Sequence, residues 1–299
     1  FTPTNFYGRG QMFEAEVRYK TKNSNTEFEV ANMDLDDITG KNRHAFFFRD
    51  NRTFINTLKL KNNGNWEGTR VTSNANIGGI SDLTYFNDFG NTVSRVGRTH
   101  IKRVAEINRI DYSSFGHLKS SIRAMDYQLA KSDLIEQYSV LPQAKVQFNT
   151  YEKNEELQYK FDGDISVFEH TYDNKADGTR ISLYPSVEYP IKRPGWELRS
   201  KVGLNHRSYS LSKSETSSVS QTTPIISLRG KMIFDRLTGK NLLQTLEPEM
   251  YFLYIPASNQ DSIPIFDSGE NDLKYTLFSE NKFYGGDRLN DAKQLTLAL

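Results

Sequence analysis

Polar and apolar residues alternate with a period of two along most of the chain. In Trp196–His206, for example, apolar side chains alternate with Glu197, Arg199 and Lys201. Successive side chains of a β-strand point to opposite faces, so this period predicts strands with one apolar and one polar face. The clearest predicted strands are Met12–Lys20, Ala144–Tyr151, Leu157–Asp162, Thr179–Tyr189, Trp196–His206 and Ile226–Asp235.

Short and long connections alternate between the predicted strands. The short ones are expected near Thr21–Asn25, Asn62–Asn65, Arg109–Ser113, Glu152–Glu156, Lys192–Gly195 and Asp235–Asn241. The long ones are expected near Gly79–Gly97, Met125–Pro142, Tyr209–Thr223 and Pro256–Arg288. A barrel that crosses a membrane repeatedly has tight turns on one side and longer loops on the other. The pattern therefore predicts an all-β fold, an antiparallel transmembrane β-barrel.

The composition is compatible with such a barrel. The mean hydropathy is −0.65, and no apolar stretch approaches the ~20 residues of a spanning helix. Half of each barrel strand faces a wet lumen, so the average stays hydrophilic. A soluble all-β sandwich or solenoid alternates as well. Predicted strands of ten or more residues, with Trp66 and Trp196 directly after turns, favour the barrel.

Both ends of the sequence lie inside predicted strands, Phe1–Phe6 and Leu295–Leu299. We therefore expect residues 1–299 to be a fragment of a barrel, truncated at both ends and without a separate second domain. Open strand edges leave backbone groups unpaired, which a bilayer does not tolerate. The segment alone is not expected to close into a stable barrel.

The sequence offers little enzyme chemistry. It contains no Gly-x-Ser-x-Gly, His-Glu-x-x-His or phosphate-binding glycine motif, and its five histidines are scattered singly. These features predict no catalytic residue, no cofactor and no metal site. The 38 basic and 37 acidic residues give a net charge of +1, without the basic patch expected of a nucleic-acid binder. No nucleic-acid partner is predicted.

Several separated motifs, in one order and spacing, resemble the LptD family of outer-membrane LPS-assembly proteins. They are Ser81–Phe89 (SDLTYFNDF), Gln244–Pro248 (QTLEP) leading to Tyr254–Pro256 and Asn259–Asp261, and Tyr284–Arg288 (YGGDR) followed by Asp291–Gln294. The resemblance covers essentially the whole chain. It implies that the chain is the N-terminal half of a barrel of about 26 strands, in the outer membrane of a Gram-negative bacterium.

The resemblance also implies a function and partners. The function would be a non-enzymatic translocon that inserts lipopolysaccharide (LPS) into the outer leaflet through a polar lumen and a lateral seam. Its partners would be LPS, a lipoprotein plug (LptE), the periplasmic LPS-transport bridge reached through a missing jelly-roll domain, the barrel-assembly machinery and outer-membrane lipids. A diffusive porin and a soluble β-rich binding protein stay open as alternatives.

Candidate site residues follow from the resemblance and from the predicted strand faces. Pro3 matches a family proline near the seam, where its missing N–H would weaken pairing, although the residues alone also fit a frayed edge. Inward basic side chains on neighbouring strands could attract LPS phosphates or pair with lumen carboxylates; they are Arg199, Lys201, Arg229 and Lys231. The long connections Gly79–Gly97 and Pro256–Arg288 would be extracellular loops that fold over or into the lumen. Their candidate residues are Tyr85, Phe86, Asn87, Asp88, Phe89, Gly285, Gly286, Asp287 and Arg288.

Overall fold

The fold is almost entirely antiparallel β-sheet, as predicted. A computed structural model describes residues 1–61, 64–90, 99–132, 134–238, 242–271 and 277–299. The elements of the first part of the chain are β1 (Thr2–Phe6), β2 (Gly10–Lys20), β3 (Ser24–Asp36), β4 (Lys41–Asn56), β5 (Lys59–Leu60), β6 (Trp66–Ile80), helix α1 (Tyr85–Phe89) and β7 (His100–Tyr112). They are followed by β8 (Gly116–Leu129), β9 (Ser139–Thr150), β10 (Gln158–Glu169), β11 (Asp177–Arg193), β12 (Trp196–Ser212), β13 (Ser218–Met232), β14 (Phe234–Thr238), β15 (Leu242–Leu246), β16 (Glu249–Ile255), β17 (Gly269–Glu270), β18 (Phe283–Tyr284) and β19 (Ala292–Ala298).

The chain divides into two compact units. Unit 1 comprises Phe1–Tyr112, Ser120–Ala144 and Ser166–Lys175, and unit 2 comprises Ser113–Lys119, Lys145–Ile165 and Ala176–Leu299. The prediction that residues 1–299 form one barrel segment without a separate domain stays a prediction.

Unit 1 contains a sheet with the strand order β1-β2-β3-β4-β6-β7, in which β5 also pairs with β6. One face of this sheet is covered by α1, whose Tyr85, Phe86 and Phe89 are buried. They belong to a cluster with Met12, Ala31, Met33, Ala45, Phe47, Ile80, Ile101 and Ala130. The Ser81–Phe89 motif therefore packs against one face of the sheet, and its assignment to an extracellular loop stays a prediction.

Unit 2 contains a sheet with the order β11-β12-β13-β16-β19. Strands β11 and β12 meet in a tight turn at Gly195, whose φ of 83° favours glycine, and pair from Arg193↔Trp196 to Asp177↔Ser212. The separate hairpin β14–β15 precedes β16. The segment 256–291 joins β16 to β19, and its described part carries the buried residues Ile263, Phe266, Asp287 and Leu289.

Most strands are longer than the sequence predicted. Each of β11 and β12 has 17 residues, well above the ~9–11 needed to cross a bilayer. The loops predicted at Met125–Pro142 and Tyr209–Thr223 consequently shrink to 130–138 and 213–217. Those predicted bounds were wrong, and at the end of β12 the reason is that the alternation continues with its faces exchanged. In Ser208–Ser212 the serines lie on the outer face, and Tyr209 and Leu211 lie on the inner face.

One predicted strand ends at the wrong residue. The predicted strand Ile226–Asp235 was wrong at its end, because β13 stops at Met232 and Asp235 belongs to β14. Parts of five predicted connections lie outside the described residues, at 62–63, 91–97, 133, 239–241 and 272–276.

Candidate functional site

The two faces of the long strands are inverted relative to a soluble protein. On β11, Ile181, Leu183 and Val187 are 36–38% exposed, whereas Arg180 and Glu188 are 2% and 6% exposed. On β12, Val202 and Leu204 are likewise exposed while Arg207 is buried. Charged groups are rarely buried in a soluble core unless they are paired. An exposed apolar face opposite a charged inner face is typical of a sheet that meets lipid outside and polar groups inside.

An ionic network in unit 2 has the Arg180 guanidinium at its centre. Asp267 Oδ1 lies 2.7 Å, Asp287 Oδ1 2.8 Å and Asp164 Oδ2 3.6 Å from its nitrogens. Asp164 lies on β10, whereas Asp267 and Asp287 belong to the segment 256–291. The network therefore fastens that segment to the inner face of β10 and β11.

Asp287 is the most fully bonded carboxylate of this network. Its Oδ1 accepts hydrogen bonds from Arg180 (2.8 Å) and from the Tyr209 hydroxyl (3.1 Å). Its Oδ2 accepts the backbone N–H groups of Phe266 and Asp267, both at 2.8 Å. Four donors around one buried carboxylate hold two parts of the segment together.

The two glycines of the motif are required by close approach. Gly285 has a φ of 76°, and a Cβ there would lie 2.3 Å from the Asp267 carbonyl oxygen. A Cβ on Gly286 would lie 2.5 Å from Arg180 Cζ. Neither position accommodates a side chain. The Gly-Gly-Asp-Arg sequence thus lets the backbone pass directly over the buried guanidinium.

The environment of Asp267 favours its charged form. Burial raises the pKa of a carboxyl, but the Arg180 hydrogen bond and charge together with the Gly286 N–H outweigh burial and lower the pKa of Asp267. The carboxylate is therefore available as a counter-ion for Arg180 throughout the neutral pH range.

The same segment contacts the inner face further along the strands. Tyr184 donates a 2.6 Å hydrogen bond to Glu280, which also lies 2.8 Å from Lys201 Nζ. The Phe278 ring lies 5.7 Å from Arg229 Cζ. The described part of 256–291 consequently covers much of the inner face of β11–β13.

All four predicted basic residues lie on the inner face, and each has a carboxylate partner. Arg199 contacts Glu152, Glu188 and Glu197, and Lys201 contacts Glu280. Arg229 contacts Glu249, and Lys231 contacts Glu247. Arg199 and Arg229 are directly opposite each other on the neighbouring strands β12 and β13, a register that the alternation did not predict. Their role toward a substrate stays a prediction.

Unit 1 has its own network around the buried guanidinium of Arg43. It contacts Asp36 at 2.9 Å, Asp82 at 2.6 Å and Asp88 at 2.9 Å, and Arg9 also contacts Asp36 and Asp88 at 2.8 Å. Burial opposes ionisation of Asp82, but hydrogen bonds from Ser81 and Thr84 and the charge of Arg43 lower its pKa. Of the predicted residues, Asp88 joins this network, whereas Asn87 is exposed.

Pro3 lies in β1 opposite Phe13 of β2. The Arg9 N–H donates to the Phe6 carbonyl at 3.0 Å, so Phe6 directs its backbone polar groups toward β2. In antiparallel strands alternate residues direct both backbone groups to the same neighbour. Pro3, three residues earlier, therefore directs its nitrogen away from β2. The N–H group that proline lacks is therefore missing from the outer edge of β1, the edge that faces away from β2.

The sequence did not single out the residues at the centres of the two networks. Arg43 lies beside the run Phe46–Phe48, in which consecutive aromatics conceal the period of two. Arg180 lies in a predicted strand, but its partner Asp267 is 87 residues away. An arginine at an inward position of a predicted strand, next to a long connection, is the sequence signal that could have identified both Arg43 and Arg180.

Two further features, a membrane-spanning helix and a metal site, are not found in the described part of the chain. The helix found there, α1, has five residues, too few to cross a membrane. The described residues contain no group of three His, Cys, Asp or Glu side chains arranged to hold a metal ion.

The inverted faces, the long antiparallel strands and the inward-folded segments define a part of a transmembrane β-barrel. Comparison with known proteins identifies the family. A family model described as LptD, LPS transport system D, matches residues 41–299. The chain belongs to this family, as the motifs predicted.

Individual relatives agree with this assignment. The chain is 29% identical over its whole length to the LPS-assembly protein LptD of Aromatoleum aromaticum, of which it covers 37%. It is 30% identical to the protein of that name from Nitrosococcus oceani, again over the whole chain and 39% of the relative. For Neisseria meningitidis serogroup B the identity is 27%, over the whole chain and 36% of the relative. The chain thus spans less than two fifths of these relatives' length.

Proposed function

We propose that this chain is the first half of the barrel of an outer-membrane translocon that inserts LPS into the outer leaflet. The observation that carries the proposal is the inverted exposure of β11 and β12, taken together with membership of a family described as an LPS transport system. A polar inner face suits the sugars of LPS, and an apolar outer face suits the bilayer that receives its acyl chains.

The direction of the Pro3 nitrogen supports a lateral seam at β1. A strand that pairs along the outer edge of β1 would find one donor missing there. Pairing at this edge is therefore weaker than along the β1–β2 ladder. A weak edge would let an amphiphile leave sideways into the membrane.

The partners are part of the same proposal. The full-length protein would receive LPS from a periplasmic bridge through a jelly-roll domain, hold a lipoprotein plug in its lumen and be inserted by the barrel-assembly machinery. The assembly acts without catalysis, since the family is one of transport and assembly proteins. Lumen carboxylates already pair with Arg199 and its neighbours, so we assign these basic residues to shaping a polar path that is close to neutral.

In-cell photocrosslinking tests this function. A photoreactive residue is placed at inward Lys231 or at outward Met232 of the full-length protein, and adducts are identified by blotting for LPS and for the plug. Lys231 is suitable because its ion pair with Glu247 is exposed, so replacing it leaves no buried charge. Its neighbour Met232 is 53% exposed and is the matched control.

LPS or plug adducts at Lys231, with none at Met232, would support the translocon. An inserted protein that gives no such adduct at Lys231 would contradict it and favour a diffusive channel, which solute flux through the purified complex would then reveal.

A further inference from the structure

The segment 256–291 leaves a polar cavity of about 350 Å³ on the inner face of unit 2. Its charged lining residues are Lys145, Arg180, Arg207 and Arg288 on the basic side and Asp162, Asp164 and Asp267 on the acidic side, and Ser182 and Asn205 line it as well. The volume falls within the range of ligand sites, ~300–1,000 Å³. The cavity therefore has room for a sugar ring that carries an acidic group.

The arginines around the cavity differ in how their charges are balanced. Three carboxylates contact Arg180. Arg207, which is 2% exposed, donates instead to neutral oxygens, those of the Asp287 carbonyl (2.6 Å) and of the Gln221 and Gln260 side chains. Arg288 donates to the backbone carbonyls of Ile263 (2.7 Å) and Pro264 (3.3 Å). Within the described residues neither Arg207 nor Arg288 has a carboxylate at ion-pair distance.

Three buried polar atoms at the cavity also have unmet hydrogen-bonding capacity, and one of them, Nε of Arg180, belongs to the guanidinium that three carboxylates already contact. Arg207 Nε, a donor, and Asn205 Oδ1, an acceptor, find no hydrogen-bond partner in the part of the chain that the structure describes. Such atoms are uncommon in native structures because leaving them unbonded is costly. A ligand that satisfies both must offer an acceptor oxygen and a hydroxyl donor. Because no carboxylate of the described residues lies at ion-pair distance from Arg207 or Arg288, the acceptor is best an anionic oxygen.

We infer that this cavity binds an acidic saccharide, whose phosphate or carboxylate lies against Arg207 and Arg288 and whose hydroxyl donates to Asn205. The inference rests on the proposed function, because it makes the cavity a binding subsite for the sugar portion of LPS. Phosphate and sugar-acid carboxylate share the chemistry of an anionic oxygen, and the experiment distinguishes them.

The test uses the full-length protein in cells with a photoreactive residue at Ser182, which lines the cavity, and a second strain with the probe at Lys231. The variant Arg288→Gln removes one cavity charge. Arg236→Gln is the matched control, since Arg236 lies on the exposed hairpin β14–β15 away from the cavity. Each strain produces LPS with or without phosphate on its inner core sugars.

Loss of one charge-assisted hydrogen bond lowers the Ser182 adduct yield about tenfold in Arg288→Gln, with no change in Arg236→Gln. Arg288→Lys, which keeps the charge, recovers part of the yield. If the phosphate is the bound group, LPS without it lowers the yield in the unsubstituted protein to the same extent, and this comparison alters no residue of the cavity. If that LPS crosslinks normally while Arg288→Gln is impaired, the carboxylate is the bound group.

Equal Ser182 yields in Arg288→Gln and Arg236→Gln would overturn the inference, as would adducts at Lys231 with none at Ser182; in either case the translocon proposal stands. Absence of LPS adducts at both positions overturns the translocon proposal itself.

Discussion

Replacing Asp287 by Asn should release the segment 256–291 from the inner face of unit 2. The carboxylate has two oxygens, each accepting two hydrogen bonds. An amide has one carbonyl oxygen and one NH₂ group, so in either orientation the NH₂ faces two donors. The substitution also removes one of the three carboxylates around Arg180, a side chain that is 2% exposed.

The expected magnitude follows from the buried geometry. Removing one partner of a buried ion pair costs roughly 3–5 kcal/mol. Asp267 and Asp164 still balance Arg180, so the lower end, about 3 kcal/mol, applies. Since each 1.4 kcal/mol is a factor of ten, the fraction of molecules with the segment open rises on the order of a hundredfold.

Hydrogen exchange of the full-length protein in detergent measures this opening. The informative amides are those of Phe266 and Asp267, because both donate directly to Asp287. Asp261→Asn is the control, since Asp261 is exposed in the same segment and the substitution removes the same charge. If the two amides exchange equally fast in Asp287→Asn and Asp261→Asn, the carboxylate does not hold the segment and the reasoning is refuted.

Three further predictions follow from the same contacts. Gly286→Ala should accelerate the same exchange, because its Cβ would displace Arg180; exchange as slow as in the unsubstituted protein would contradict the close approach. The pKa of Asp82 is lowered from its ordinary value of 3.8. The Asp82 carboxylate therefore contributes fully to holding the segment 81–90 against the sheet above pH 3.8, and this contribution is lost as the pH falls further. Protection of amides 81–90, corrected for intrinsic rates, should therefore be constant near neutral pH and fall only below pH 3.8; constant protection in that acid range would refute this. Pro3→Ala should restore a donor worth about 1 kcal/mol at the outer edge of β1 and slow the arrival of pulse-labelled LPS at the cell surface, and unchanged arrival with unchanged seam crosslinking would argue against the seam.

Much of the architecture could be predicted from the sequence because it is a local property. The period of two assigned Leu198 and Arg199 to opposite faces, and the structure agrees. Strand ends were less predictable, since the apolar residues can change faces there, as at Ser208–Ser212, where Tyr209 and Leu211 lie on the inner face. The partners of the inner-face charges were not predictable at all. Arg180 and Asp287 are separated by 107 residues, and no periodicity encodes which loop carboxylate reaches which strand arginine.

Both units fasten a loop in the same way, with a buried strand arginine surrounded by three aspartates. Arg43 contacts Asp36, Asp82 and Asp88, as Arg180 contacts Asp164, Asp267 and Asp287. Burying such charges costs desolvation energy that nearly cancels their attraction, so the pairs fix the position of a loop more than they stabilise it. Separating both partners into water is consequently far less costly than deleting one. Under the proposed function, a loop held this way occupies one defined place on the inner face. A polar molecule that moves through the lumen can still displace it.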